Sequence, residues 1–181
     1  MHLHETLGPA RTTVTAIAEQ AGVGRLSVDR HFPEEADLYA ACSRAYWERY
    51  TPPDPSQWRE IPDPSERLRV ALQESYAYHR RTAPMIGRAL ADVGDQPHMT
   101  PYHQHWRDAA NVVASGWKMP GHTGRRTGAA VGHALSFSTW QSLTQDQGLT
   151  DRQAIDLMIC LVTCSKNSRG SHRLTLGAPR R

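Results

Sequence analysis

Histidines and cysteines at short spacings are the residues of this chain best suited to metal or redox chemistry. Cys160 and Cys164 are four residues apart, which brings both thiols to one face of a helix. They lie in an apolar run, and this favours thiols packed in a core over a redox or metal pair. In the His-x-His pairs at 2–4 and 103–105, helical spacing points the two rings to different faces. We therefore expect no metal site.

The serines, histidines and glycines show no catalytic pattern. No serine or histidine spacing marks a nucleophile with its base. Gly22 and Gly24 lie between two helical segments, whereas a phosphate-binding glycine loop follows a strand. We therefore expect a protein that is not an enzyme and that uses no cofactor.

The elements that position these residues are helical. Hydrophobic residues make up 39% of the 181 residues and recur at helical spacing, with almost no strand-type alternation. The sequence shows neither a signal-peptide pattern nor an apolar stretch near the ~20 residues that a membrane span needs. These features predict an all-α fold and a cytoplasmic location.

Two short helices are predicted near the N-terminus, over 13–20 and 25–32, with a turn at 21–24 between them. The residues before them contain glycine and proline and are expected to form a ragged lead-in. A longer helix follows over 34–50. Two short helices around a tight turn are typical of a unit that docks in the DNA major groove, where the second helix enters and the first braces it.

Three residues fix the local geometry of this unit. Thr13 is placed to cap the first helix, and Gly22 suits the left-handed position after it. Val23 is expected to fill the gap between the two helices. The residues predicted to face inward across the three helices are Val14, Ile17, Ala18, Ala21, Val28, Phe32, Leu38, Cys42, Ala45 and Tyr46.

This pattern resembles the N-terminal region of the TetR family of one-component transcriptional regulators. The segments 132–143 and 148–162 are similar to the last two helices of such regulators. The residues that support the resemblance are Thr13-Val14, Ile17-Ala18, Ala21-Gly22-Val23, Arg30-His31-Phe32 and Leu38.

The resemblance implies that the second short helix reads DNA bases while flanking residues bind phosphate. Arg25 is expected to read guanine and Ser27 to bond base edges, while Thr13 and Thr15 bind phosphate. A solvated helix face is the alternative for each of these residues. The full set of expected DNA-contacting residues is Thr13, Thr15, Arg25, Leu26, Ser27, Asp29, Arg30 and His31.

Several features depart from the family pattern. Residues 1–50 contain five arginines and seven acids, so five minus seven gives a net charge of −2, which opposes phosphate binding. Asp29 stands where the family usually has tyrosine, and Glu35 where it has a phosphate-facing lysine. The family also begins with a full helix before the motif, whereas only residues 1–12 precede it here.

The remainder of the chain is predicted to form a helical bundle. Five prolines between residues 51 and 64 mark a connector, in which Trp58 is expected to pack back on a neighbour. The predicted domains are a DNA-binding head at 1–50, a ligand-binding and dimerisation bundle at 51–166, and a disordered basic tail at 167–181. The helices expected in the bundle span 65–82, 84–93, 101–117, 121–147 and 150–166.

Aromatic residues and histidines in this bundle are candidates for a ligand cavity. Such cavities are mostly apolar, with a few polar groups that fix orientation. Ordinary core aromatics are the alternative. The candidate residues are Tyr76, His79, Met85, Tyr102, His105, Trp106, Trp117 and Trp140.

A homodimer interface is expected on the last two helices. Gly124, Gly128 and Gly132 recur every fourth residue and permit close helix approach. The last helix has an apolar face that includes Ile155 and Val162, and two helices from each subunit would form a four-helix bundle. Packing within one chain is the alternative.

Together these features predict a homodimeric transcriptional regulator, acting as a repressor, that binds a palindromic double-stranded DNA operator. A small apolar or aromatic effector in the bundle would change its DNA affinity, and the resemblance leaves open whether the effector releases or promotes binding. The alternative is a helical ligand-binding or partner-binding protein that has lost DNA binding.

Overall fold

The computed structural model describes residues 2–8, 11–92 and 99–167, and within these ranges the chain is all-helical. Residues 168–181, which make up nearly all of the predicted tail, lie outside the described residues. No described helix is both long and apolar enough to cross a membrane. The elements are α1 (His2–Leu7), α2 (Val14–Ala21), α3 (Arg25–His31), α4 (Glu35–Arg49), α5 (Pro55–Arg59), α6 (Pro64–Asp92), α7 (Thr100–Ser115), α8 (Gly121–Leu135), α9 (Phe137–Gln141), a π-helical turn (Ser142–Asp146) and α10 (Asp151–Asn167).

The N-terminal segment is helical rather than the ragged lead-in expected from the sequence. Helix α1 packs against α6, and this tertiary contact compensates for its short length. Gly8 ends the helix in the left-handed region at φ +86°. The Thr12 hydroxyl donates to the Gly8 carbonyl at 2.8 Å and fixes the path toward α2.

The turn between α2 and α3 has the predicted caps. The Thr13 hydroxyl accepts a hydrogen bond from the Ala16 amide at 3.1 Å, and Gly22 adopts φ +67°. The Val23 amide then donates to the Ala18 carbonyl at 3.0 Å, which closes the end of α2. The prediction that the Val23 side chain fills the gap is wrong, because that side chain is 47% exposed.

Helices α2, α3 and α4 share a small hydrophobic core of their own. Ala18, Val28 and Leu38 are buried there, one from each helix. Two predicted inward residues, Ala21 and Ala45, are instead exposed. The half-buried residues around this core are Val14, Ile17, Phe32 and Cys42.

Helix α6 runs unbroken through Pro84, so the prediction of two separate helices there is wrong. A proline inside a helix removes one backbone hydrogen bond and crowds the preceding turn. Pro84 is exposed, whereas the turns on either side of it bury Thr82 and Ile86 in the bundle. Packing on both sides therefore holds one continuous helix.

The single helix predicted over 121–147 is also wrong, because the chain breaks at Ser136, which is extended at ψ 146°. Side chains of α6 satisfy the carbonyls that the break releases. The Tyr76 hydroxyl donates to the Ala134 carbonyl at 3.1 Å, and His79 Nε2 donates to the Leu135 carbonyl at 2.9 Å. The Ser136 hydroxyl then caps α9 by accepting from the Thr139 amide at 3.2 Å.

The main core surrounds α6, whose Leu68 and Leu72 are fully buried. Trp58 is buried against it, as predicted, and its indole nitrogen donates to a Glu74 carboxylate oxygen at 2.8 Å. The buried Arg67 guanidinium donates to the carbonyls of Ile61 at 2.7 Å and Val112 at 3.2 Å. The Arg67 guanidinium, which is removed from water, thus links the connector and α7 to α6 through hydrogen bonds to their carbonyl groups.

Helix α10 begins as predicted and packs along α6 and α8. The Thr150 hydroxyl accepts from the Gln153 amide at 3.3 Å, while the Gln153 side chain accepts from the Thr150 amide at 2.9 Å. This reciprocal pair is a capping box. The apolar face that the sequence suggested for a partner subunit is buried in the chain's own core, as Ile155 and Val162 show.

Candidate functional site

The first candidate surface is the outer face of α3. Val28 points into the small core, and Leu26, on the opposite side of the helix, is 79% exposed. The residues expected from the sequence to contact DNA are all exposed: Thr13, Thr15, Arg25, Leu26, Ser27, Asp29, Arg30 and His31.

Several of these side chains already have partners within the chain. Arg25 Nε lies 3.5 Å from an Asp29 carboxylate oxygen, and Arg25 Nη1 donates to the Thr15 hydroxyl at 3.4 Å. His31 Nδ1 donates to the Ser27 carbonyl at 2.8 Å. The pairing with Asp29 lowers the positive charge that Arg25 presents to a ligand. The side chain of Glu35, the other acidic departure, lies outside what the structure describes.

The second candidate site is an aromatic cluster in the bundle, centred on His79. The His79 ring centroid lies 4.7 Å from that of Trp106, and it meets Phe137 edge-on at 5.6 Å with an interplanar angle of 90°. The remaining rings within 6.3 Å of His79 are Tyr76, Tyr78 and Trp140. Aromatic contacts at these distances stabilise one another.

The structure brings most of the predicted ligand residues together but not all of them. Met85 and Trp117 both pack against the main core, and Trp117 does so from beyond the end of α7. His105 stacks edge-on with Trp47 of α4 at 5.8 Å, on the side of α7 that faces the connector. The predicted residues within the His79 cluster are Tyr76, His79, Trp106 and Trp140, and Tyr102 and His105 contact it through the Trp106 ring.

Sequence reasoning missed Tyr78 and Phe137. Tyr78 falls outside the apolar stripe of α6, and Phe137 follows the unpredicted break at Ser136. Serine is a favoured N-cap residue, so Ser136 is the local signal that could have indicated a helix start at Phe137.

A cleft of about 1080 Å³ opens beside this cluster, between α7, α8 and α9. Tyr102, Trp106 and Phe137 form its aromatic floor. Two glycines predicted for a dimer interface, Gly128 and Gly132, line its α8 side. The polar residues of its lining are Thr100, His103, Arg107, Asn111, Ser136 and Ser138, with no acid among them.

Three buried polar atoms of α6 have no hydrogen-bond partner among the described residues: Ser75 Oγ, the Tyr78 hydroxyl and His79 Nδ1. His79 Nε2 bonds a carbonyl, which can only accept, so Nε2 bears the proton and Nδ1 is a bare acceptor. Burial lowers the pKa of His79 to about 4, so the ring is neutral near pH 7. Burial also raises the pKa of Tyr78 to about 12, which keeps its hydroxyl protonated.

A second depression, of about 810 Å³, lies between α4, the proline-rich connector and α7. Trp47 and His105 line it, and Tyr102 lines both this depression and the cleft. Burial lowers the pKa of His105 as well. Tyr102 therefore connects the bundle cleft to the helix that leads to the N-terminal unit.

The cysteines and glycines lie differently from the sequence expectation. Cys160 and Cys164 are exposed and free, so the prediction of core thiols is wrong. They lie on the face of α10 opposite its buried stripe, and their mutual hydrogen bond raises the pKa of the Cys164 thiol.

A Cβ atom added to Gly132 would lie 3.7 Å from the Ala110 side chain, which is an ordinary contact, whereas one added to Gly124 would clash with the Met119 carbonyl.

In the part of the chain that the structure describes, no group of three or more histidine, cysteine or acidic side chains could hold a metal ion. Comparison with known proteins gives no relative: no protein-family model, no curated protein and no solved structure matches the chain.

Proposed function

We propose that this protein is a DNA-binding transcriptional regulator of the TetR type, in which a small molecule bound in the helical bundle changes the affinity for DNA. The observation that supports DNA binding is the exposed outer face of α3, held on a small core of its own by α2 and α4. An exposed short helix braced by a second helix fits the major groove.

The residues of this face suit different kinds of DNA contact. Ser27 has a hydroxyl that can bond several base edges, and Arg30 is exposed on the side opposite Val28. Leu26 offers an apolar surface for a thymine methyl group. The ion pair between Arg25 and Asp29 would have to open, or turn toward a base, before Arg25 could bind guanine.

Helix α4 supports coupling between ligand and DNA, because it contributes to both hydrophobic cores. Its first half places Leu38 in the small core, while Tyr46, two turns later, belongs to the main core. A ligand that repositions Tyr102 or Trp47 would therefore tilt α4 and the reading helix with it. Differential affinity of the ligand for two such positions is what would change DNA binding.

We further propose a homodimer formed through the exposed face of α10. Leu157 is 39% exposed and Leu161 53% exposed, on the same face as Cys160 and Cys164. A two-fold contact through this face would present two copies of α3 to a palindromic site. Gly132 supports packing within one chain instead, since it faces Ala110 of α7.

Fluorescence anisotropy with DNA from upstream of the protein's own reading frame tests the proposal. We expect salt-sensitive, sequence-dependent binding that Ser27→Ala or Arg30→Ala each weakens about tenfold, since one base contact contributes about 1–3 kcal/mol. Asp29→Asn is expected to strengthen binding, because it removes a negative charge and releases Arg25. Arg59→Ala, which removes an exposed arginine of α5, is the matched control and should leave affinity unchanged.

The second candidate function is a ligand-binding or partner-binding helical protein that does not read DNA. The ion pair that occupies Arg25 favours it, together with the net charge of −2 over residues 1–50. Absence of sequence-dependent binding at low salt, both in the wild type and in Asp29→Asn, would support this candidate over the regulator.

A further inference from the structure

We infer that the bundle binds a small neutral phenol, whose hydroxyl pairs with Tyr78 and His79 behind the aromatic floor of the cleft. This inference deepens the proposed function, because it names the ligand class of the effector site. The observations behind it are the unpaired polar atoms of α6 and the rings that surround them.

Unpaired polar atoms in a core are uncommon, because each forfeits the hydrogen bonds that it makes with water in the unfolded chain. Tyr78 and His79 are both buried, and both rings lie against Trp106, with centroid distances of 5.9 Å and 4.7 Å. Trp106 is half-buried and forms part of the cleft floor. The proposed ligand displaces the Trp106 ring from the cleft floor and so reaches the two unpaired groups behind it.

The protonation state of His79 selects the ligand chemistry. Its Nδ1 atom is a bare acceptor, so the ligand must supply a donor there. The Tyr78 hydroxyl can donate to the same ligand oxygen. A phenol hydroxyl donates a hydrogen bond to His79 Nδ1 and accepts one from the Tyr78 hydroxyl. A carboxylate can only accept hydrogen bonds, and it would bring a negative charge into a site where the histidine is neutral.

The walls of the site favour an aromatic ring over an aliphatic alcohol. Phe137 stands edge-on to His79, and Trp140 lies 5.5 Å from Phe137, so flat apolar faces surround the position. The cation of the cleft, Arg107, is exposed and already donates to the Gln104 side chain at 2.9 Å. Binding of an anionic ligand at the rim of the cleft is therefore less favoured than binding of a neutral phenol.

Isothermal titration calorimetry of the full-length protein without DNA tests the inference, with phenol, anisole and benzoate as probes. Anisole retains the ring and oxygen but has no donor. We expect phenol to bind at least tenfold more tightly than anisole and benzoate, because the unpaired Nδ1 atom rejects a ligand that lacks a donor. Comparison of the three probes on the wild type needs no variant.

Tyr78→Phe removes only the unpaired hydroxyl and is expected to weaken phenol binding about fivefold to tenfold, because the ligand oxygen loses its donor. Tyr50→Phe, at the end of α4 and outside the cluster, is the matched control and should leave phenol binding unchanged. Phenol and anisole binding equally well, or phenol affinity unaffected by Tyr78→Phe, overturns the inference. Benzoate binding best and losing affinity in Arg107→Gln overturns it in favour of an anionic ligand.

The outcomes separate this inference from the proposed function. Phenol binding with the expected preference, but without any DNA binding, supports the ligand class and contradicts the regulator. Sequence-specific DNA binding without discrimination between phenol and anisole overturns the ligand class alone.

Discussion

Tyr76 and Tyr78 lie two residues apart on α6, and both are buried, yet their hydroxyl groups have opposite energetic roles. The Tyr76 hydroxyl donates to the Ala134 carbonyl that the break at Ser136 releases. The Tyr78 hydroxyl has no partner among the described residues. The first hydroxyl therefore stabilises the fold, while the second lowers its stability.

This difference gives a prediction for two matched substitutions. Tyr76→Phe leaves the Ala134 carbonyl unpaired and should lower the free energy of unfolding by about 1–3 kcal/mol. Tyr78→Phe should leave it unchanged or raise it by up to about 1 kcal/mol, because a desolvated hydroxyl is removed. Urea denaturation of both variants measures the change. Equal destabilisation by the two substitutions would contradict this account of the hydroxyl groups.

At the scale of elements, α6 organises the bundle and contains a proline at an unfavourable position. Pro84 costs α6 a backbone hydrogen bond, although burial of Thr82 and Ile86 keeps the helix continuous. Pro84→Ala should raise the free energy of unfolding by about 1–2 kcal/mol, after allowance for the greater entropy of the unfolded chain.

Thermal and urea unfolding measure this change, and Pro101→Ala is its control. Pro101 lies in the first turn of α7, where a proline has no hydrogen bond to remove, so its replacement should change stability little. A loss of stability in Pro84→Ala would show that the ring makes a favourable contact instead.

Local signals explain which elements could be predicted from the sequence. Thr13 and Gly22 define the ends of α2 through hydrogen bonds within a few residues, and Thr150 does the same for α10. The break at Ser136 depends on α6, some 56 residues away along the chain between His79 and Leu135, and no local pattern encodes that contact.

The candidate site in the bundle was also predictable only where local spacing determines it. Periodicity brought Tyr76 and His79 to one buried face, but it could not show that Nδ1 of His79 lacks a partner. Exposure of Cys160 and Cys164 was also missed, because an apolar run on a helix looks buried on every side until its neighbours are known. All-helical character follows from composition and spacing alone, whereas these details follow from packing.

At the scale of the molecule, α4 connects two hydrophobic cores of unequal size. The small core has three buried residues, Ala18, Val28 and Leu38, and it buries little apolar area. Such a unit depends on α4 for its stability and can shift relative to the bundle at low cost. This asymmetry is what the proposed ligand-controlled regulator requires, because the bundle can remain folded while α3 moves.

The exposed face of α10 leads to a prediction about assembly. Leu157 and Leu161 lie near the middle of this face, and in a two-fold contact residues at the centre meet their own copies. Leu161→Glu should therefore place two carboxylates together in an apolar contact and convert the dimer to a monomer. Light scattering coupled to size-exclusion chromatography measures the mass, with Arg152→Glu, an exposed change on another part of α10, as control. A wild-type chain that stays monomeric at every concentration rules out this interface, and the proposed DNA binding would then involve single copies with correspondingly weaker affinity.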